Sequence, residues 1–216
     1  MTVLSRRAFG TGATAAAASL LVGCSSDGGG VRTTGTASPD ASSPPPRSTA
    51  GKHTSSAKSV RAVGRSVPVR LRIPALGVDT PVMRLGLASD GTVQVPPISD
   101  HDQAGWYEHS PTPGQTGPSV ILGHVTVGAY GDGVFHGLSR LRRGEKIVAR
   151  LENGTETEFT VTSLRTVAKA DFPTDDVYGN VDRPELRLIT CGGPKDETGY
   201  LDNVIAFAAL TSSTTP

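Results

Sequence analysis

Across this chain no window carries apolar residues at a 3.6-residue period for three turns, while short runs repeatedly alternate apolar and polar side chains. Alternation puts one face of an extended segment on a core and the other in water, and a helix cannot satisfy it. Val67, Val69, Leu71 and Ile73 alternate with Pro68, Arg70 and Arg72, which predicts a half-buried strand. Comparable runs lie at 80–87, 92–95, 119–124, 146–151, 158–164, 185–191 and 203–210. Asn153-Gly154, between the fifth and sixth runs, predicts a hairpin with a type I′ turn. Two stretches, 132–141 and 172–178, have room for a helical turn or two. Eight short strands separated by turn signals predict an all-β fold, a closed or nearly closed eight-stranded barrel, with a sandwich as the alternative.

These runs begin only at residue 67. Of the chain's 26 Gly and 16 Pro, many lie in the first 66 residues, where large apolar side chains are almost confined to one stretch. That stretch, 8–22, follows Arg6-Arg7 and is short for a membrane span. Paired arginines, an apolar segment and small residues describe a twin-arginine export signal over 1–23. Leu21-Val22-Gly23-Cys24 resembles the lipobox of bacterial lipoproteins, so Cys24 is expected to be lipidated and to anchor the protein to the membrane. The alternative is an ordinary signal or uncleaved anchor with Cys24 incidental. Residues 24–66, rich in Ser, Thr, Gly, Ala and Pro, predict a lipidated, disordered tether. The folded domain is then 67–210, followed by a disordered tail, 211–216, and it works on the extracytoplasmic face of the membrane. A formal net charge of +1 gives no basis for a nucleic-acid partner. A monomer is expected.

With Cys24 lipidated, Cys191 is the one thiol left in the folded domain, and it has no disulfide partner. Such a cysteine is either buried and inert or kept for reactivity. Its place favours the second: the run from Leu186 ends at Cys191, and Gly192-Gly193-Pro194 follows. A cysteine nucleophile needs a cationic neighbour, generally histidine, to stabilise thiolate and protonate a leaving amine. His53 falls in the tether, His101 and His109 fall in polar loops, and His136 reads as a packed core histidine. His124 differs, because the apolar run from Ser119 delivers it at a strand end. The separation of the two residues does not decide whether they meet.

Leu188-Ile189-Thr190-Cys191 resembles the strand end of the sortases, the cysteine transpeptidases that attach proteins to Gram-positive cell walls. The chain is similar to the actinobacterial class F branch over most of 67–210. Gly105-Trp106-Tyr107, Pro113-Gly114, Leu122-Gly123-His124-Val125, Phe172-Pro173-Thr174-Asp175, Val177-Tyr178-Gly179 and Glu185 to Pro194 occur in the order that the family shows. The resemblance implies the eight-stranded sortase barrel. It implies that Cys191 attacks the Thr carbonyl of an LPxTG-like sorting signal and that His124 is general acid. It also implies that a peptidoglycan precursor amine, or water, resolves the thioester. No metal or organic cofactor is required. The partners implied are proteins with C-terminal sorting signals. Val125, Thr126, Phe172, Thr190 and Gly192 follow as substrate-binding candidates, and Trp106 reads as core.

The family pattern is broken at one point. Sortases place an arginine on the strand after the cysteine, and no arginine follows Arg187 here. Asn203 is the preferred third catalytic residue, with Arg187 reaching in, or reduced activity, as alternatives. A lipid in place of the usual transmembrane anchor is a second departure. An L,D-transpeptidase or papain-like enzyme fits poorly, since Gly-Gly-Pro follows the cysteine and His124 precedes it. A non-catalytic lipoprotein that binds wall peptides or partner proteins is the other alternative.

Overall fold

The computed structural model describes residues 62–216, so the expected export signal, Cys24 and the tether up to residue 61 lie outside the described residues. The elements are β1 (Pro68–Ile73), β2 (Val78–Leu85), β3 (Ala104–Tyr107), β4 (Gly117–Leu122), β5 (Thr126–Val127), β6 (Gly131–Asp132), β7 (Lys146–Leu151), β8 (Glu156–Ala168), α1 (Thr174–Tyr178), β9 (Pro184–Asp196) and β10 (Gly199–Thr214). Eight strands close into a barrel in the order β1-β2-β3-β4-β9-β10-β8-β7, and β5 and β6 form a separate two-stranded ribbon. The chain is therefore the all-β closed barrel that alternation predicts, and the sandwich is not formed. Leu71, Ile73, Trp106, Ile121, Phe159, Leu186 and Leu188 fill the interior. The Trp106 indole N–H donates to the Pro111 carbonyl at 3.3 Å, which satisfies the one polar group of a buried ring.

Several expectations change in detail. The run at 92–95 is not a barrel strand and makes only an isolated bridge, Leu87 with Val93. Pro96-Pro97 follow it and lack the N–H groups that a ladder needs. Its place is taken by β3, where Ala104, Gly105 and Trp106 are all buried, so no alternation marks it. Val69 is exposed although Leu71 and Ile73 are buried, because the β1–β7 register shifts between Pro68 and Arg70 and leaves Val69 in a bulge. The hairpin after β7 is not type I′. Gly154 N–H donates to the Leu151 carbonyl and Leu151 N–H to the Thr155 carbonyl, enclosing a longer loop with Gly154 at φ 83°. The domain also extends past both predicted ends. β10 runs to Thr214, with Ser212, Ser213 and Thr214 paired to β8 through backbone bonds that need no apolar side chain. At the other end Val63 N–H donates to the Gly114 carbonyl at 2.9 Å, and Arg65 donates to the Glu108 carbonyl at 3.1 Å.

β4 and β9 lie side by side and parallel, and both are covered on both faces. Leu186 and Leu188 point into the barrel, while Val120 and Ile189 join Ile205, Phe207 and Val177 of α1 in a second apolar layer outside it. A charged pair sits within that layer. Arg187 is 3 % exposed, donates to Glu185 and to the Asp176 carbonyl, and lies 4.7 Å from the Phe207 ring centroid. Burial pushes the Glu185 carboxyl up, but hydrogen bonds from Arg187 and Arg183 outweigh it and hold the group below the usual glutamate range.

A lowered carboxyl adds stability above its unfolded pKa and loses it as pH falls through the folded value. Thermal melts between pH 7 and 3 are expected to show wild type above Glu185→Gln at neutral pH, with the gap closing in acid. Arg187→Ala is expected to cost about 3 kcal/mol at pH 7, since it strips a buried carboxylate of its main partner. A Glu185→Gln gap that stays constant with pH contradicts this account.

Candidate active site

Parallel pairing between β4 and β9 joins residues that differ by 67 in number, from Gly117 with Pro184 to Leu122 with Ile189. Gly123 N–H donates to the Ile189 carbonyl at 3.1 Å, so the ladder continues past the end of β4. Carried two residues past Leu122 and Ile189, the same offset reaches His124 and Cys191, and both side chains line one hollow together with Asn203. On the other side of β9, the antiparallel register sets Asn203 of β10 opposite Cys191. Directly paired residues share a face, with Cβ atoms about 5 Å apart. Cys191 thus stands between a histidine and an asparagine, on the outer face that also carries Ile189. It is partly exposed and is the free cysteine of the described residues.

The histidine is held from several directions. Thr190, whose side chain points the other way, donates its hydroxyl to the Gly123 carbonyl at 2.7 Å and locks the two strand ends together. Phe135 N–H donates to the His124 carbonyl at 2.9 Å. Gly133 packs so closely that a Cβ there would lie 2.4 Å from the His124 carbonyl oxygen. His124 Nε2 lies 2.7 Å from the Pro96 carbonyl. A carbonyl only accepts, so Nε2 carries a proton and Nδ1 is left to exchange one.

Cys191 borders two hollows. One, of about 190 Å³, is walled by Val95, Pro96, Leu122, His124, Ile189 and Asn203. The other, of about 350 Å³, is walled by Val125, Phe135, His136, Gly192, Tyr200 and Val204 among others. A nucleophile with an adjacent acid, an amide donor across the strand and space on its sides is suited to acyl transfer.

A sequence model of the sortase domain matches residues 71–211. The chain belongs to the sortase family. Sortases are cysteine transpeptidases that act on proteins bearing sorting signals and on cell-wall amines. No curated protein matches this sortase. Sortase A of Listeria monocytogenes shares its fold with a TM-score of 0.52 and 18% identity, over 71% of this chain and 92% of that one. The SrtA sortase of Actinomyces oris has a TM-score of 0.51 and 23% identity, over 75% of this chain and 89% of that one. Sortase C-1 of Actinomyces oris has a TM-score of 0.51 and 19% identity, covering 66% and 72%.

Other candidates are distributed unevenly in this sortase. Val125 and Gly192 line the larger hollow. Thr126 is tied to Tyr200 at 2.8 Å and to Lys195 at 3.1 Å, so its hydroxyl is engaged. The Thr190 hydroxyl is taken by Gly123, although the residue borders both hollows. Phe172 packs with Tyr178 in the outer layer and lines neither hollow. Arg187 shares the face of Cys191, but its ion pair with Glu185 and its seat on Phe207 keep it from reaching in. His136 is not a packed core residue: its ring is exposed, and Nδ1 meets the Gly133 carbonyl at 3.2 Å. Pro96 and Gly133 carry no residue-type signal for chemistry, because one acts through its carbonyl and the other through a missing Cβ.

Gly133→Ala is expected to displace the His124 main chain while leaving the barrel folded. A shift near 1 Å at a reacting group costs about 100-fold. Cys191 acylation by a sorting peptide should fall by that factor with an unchanged far-UV spectrum, and undiminished acylation contradicts the close contact.

Proposed function

We propose that this sortase is an extracytoplasmic transpeptidase of the actinobacterial class F type, lipid-anchored through Cys24, that cleaves an LPxTG-like signal between Thr and Gly. The observation that carries it is that Asn203 is paired with Cys191 across β10 and β9 and that His124, just past the end of β4, lines the same hollow as both. In the first half-reaction the Cys191 thiolate attacks the Thr carbonyl, and the C–N bond to glycine breaks. His124, as imidazolium, gives its proton to the leaving amine, and the acyl group remains as a thioester. Asn203 replaces the usual arginine as a donor to the developing oxyanion, a role worth about 3 kcal/mol. It donates without charge, so it needs no buried counterion. In the second half-reaction a cell-wall amine attacks the thioester, with water as the slower substitute.

Anchoring through Cys24 holds a monomeric domain close to the membrane, where sorting substrates emerge. Val95 and Pro96 fit the same picture, since they wall the smaller hollow over the nucleophile and fix the histidine tautomer.

The test uses the full chain with Cys24→Ser, so that Cys191 is its one thiol, incubated with LPxTG-type peptides and weighed intact. Wild type is expected to gain the acyl mass and Cys191→Ala none. His124→Ala should acylate at least 100-fold more slowly. Asn203→Ala should lose about 100-fold with an unchanged melting temperature. No adduct with any sorting peptide, together with a Cys191 that resists alkylation in the folded protein, overturns the proposal.

A further inference from the structure

The second half-reaction has a proton count that His124 cannot meet alone. A cell-wall amine arrives as ammonium at neutral pH. It must lose one proton to gain a lone pair and a second to become a neutral amide. His124, left neutral by the first half-reaction, takes one of these. Without a second acceptor on its path, only the fraction of amine already unprotonated in solution reacts.

His136 occupies such a place. It lines the hollow of about 350 Å³ that also holds Cys191, while His124 lines the other one. The Gly133 carbonyl, 3.2 Å from His136 Nδ1, accepts a hydrogen bond, so Nδ1 carries the proton of the neutral ring. Nε2 then keeps its lone pair as the basic atom. The inner walls are the buried Phe135, Thr190 and Val204, which have no basic group to offer. Tyr200 is engaged with Thr126 and lies under Lys195, whose Nζ is 4.2 Å from the ring centroid. On its far side His136 borders a second hollow carrying Asp79, Asp102 and Asp132. Asp79 is paired with Arg70 at 2.6 Å, which leaves two carboxylates to favour an arriving cation.

We propose that His136 is a second catalytic base, which takes the first proton from the acceptor ammonium as it enters the larger hollow toward the Cys191 thioester. This rests on the transpeptidase proposed above. The ammonium gives one proton to His136 Nε2, and its nitrogen attacks the thioester carbonyl. The C–S bond breaks, its electron pair leaves on the Cys191 sulfur, and the second proton goes to His124. The products are an amide, a thiolate and two imidazolium rings. His136, being exposed, releases its proton to solvent, and His124 keeps its own for the next cycle.

The test compares wild type with His136→Gln, both with Cys24→Ser, after acylation by a sorting peptide. Acceptors are triglycine, Nα-acetyl-lysine amide and hydroxylamine, which is already unprotonated at neutral pH. Acyl-enzyme formation and hydrolysis are expected to be unchanged. An α-amine with a pKa near 8 is about one-tenth unprotonated at pH 7, so triglycine transfer should fall roughly tenfold. A side-chain amine near pKa 10.4 is unprotonated on the order of 1 in 10³, so its transfer should fall by up to that factor. Transfer to hydroxylamine should not change. Equal partition in both proteins, an equal loss for all three acceptors, or a loss of acylation itself overturns the role of His136. Failure of wild type to form an acyl-enzyme overturns this proposal and the transpeptidase together. Normal acylation with unaltered partition overturns only this one.

Discussion

The site depends on the parallel ladder between β4 and β9. Backbone hydrogen bonds set a register that runs to Leu122 with Ile189, and just past it His124 and Cys191 face one hollow. A slip of one residue would move either side chain to the opposite face. The fold guards against that by burying both faces of both strands: Leu186 and Leu188 are wanted inside, and Val120 and Ile189 are wanted under α1. Two hydrophobic layers therefore enforce one alignment. The Thr190 hydroxyl adds a direct strut at the point where β4 ends and its ladder would otherwise fray.

Much of this was legible in the residues. Alternation gave strands at β1, β2, β7, β8, β9 and β10, and the apolar run before His124 gave β4, because those segments pack one face or form a continuous apolar stretch. The strand order was not legible, since closure is decided by long-range pairing. β3 was hidden because Ala104, Gly105 and Trp106 are all buried and alternate in nothing. The run at 92–95 misled for the opposite reason: it alternates, but Pro96-Pro97 deny it a ladder. The pairing of His124 with Cys191 rested on resemblance, because a separation in sequence says nothing about register. The contributions of Pro96 and Gly133 could not be read at all, as neither acts through a side chain.

Arginine usage is explained by the outer layer. Four residues before the cysteine, Arg187 has the right parity to approach the site, yet it is committed to Glu185, to the Asp176 carbonyl and to Phe207. Those contacts keep a carboxylate ionised inside an apolar layer and attach α1 to β9. Releasing the guanidinium toward the site would strand Glu185. A neutral amide at position 203 suits that arrangement, because the face around Cys191 then carries no second fixed cation.

The same ladder makes the stretch between the two strands free in a particular sense. His124 and Cys191 meet through hydrogen bonds whose count does not include the chain that connects them, so the number 67 has no meaning for the chemistry. Residues gained or lost in the turns around β5 to β8 change the entropy of closing a long loop only slowly with length. A single residue gained inside β4 or β9 reverses every side chain beyond it. Lineages of this protein can therefore lengthen or shorten their loops without disturbing the nucleophile, while the two strands tolerate substitution but not a change of length.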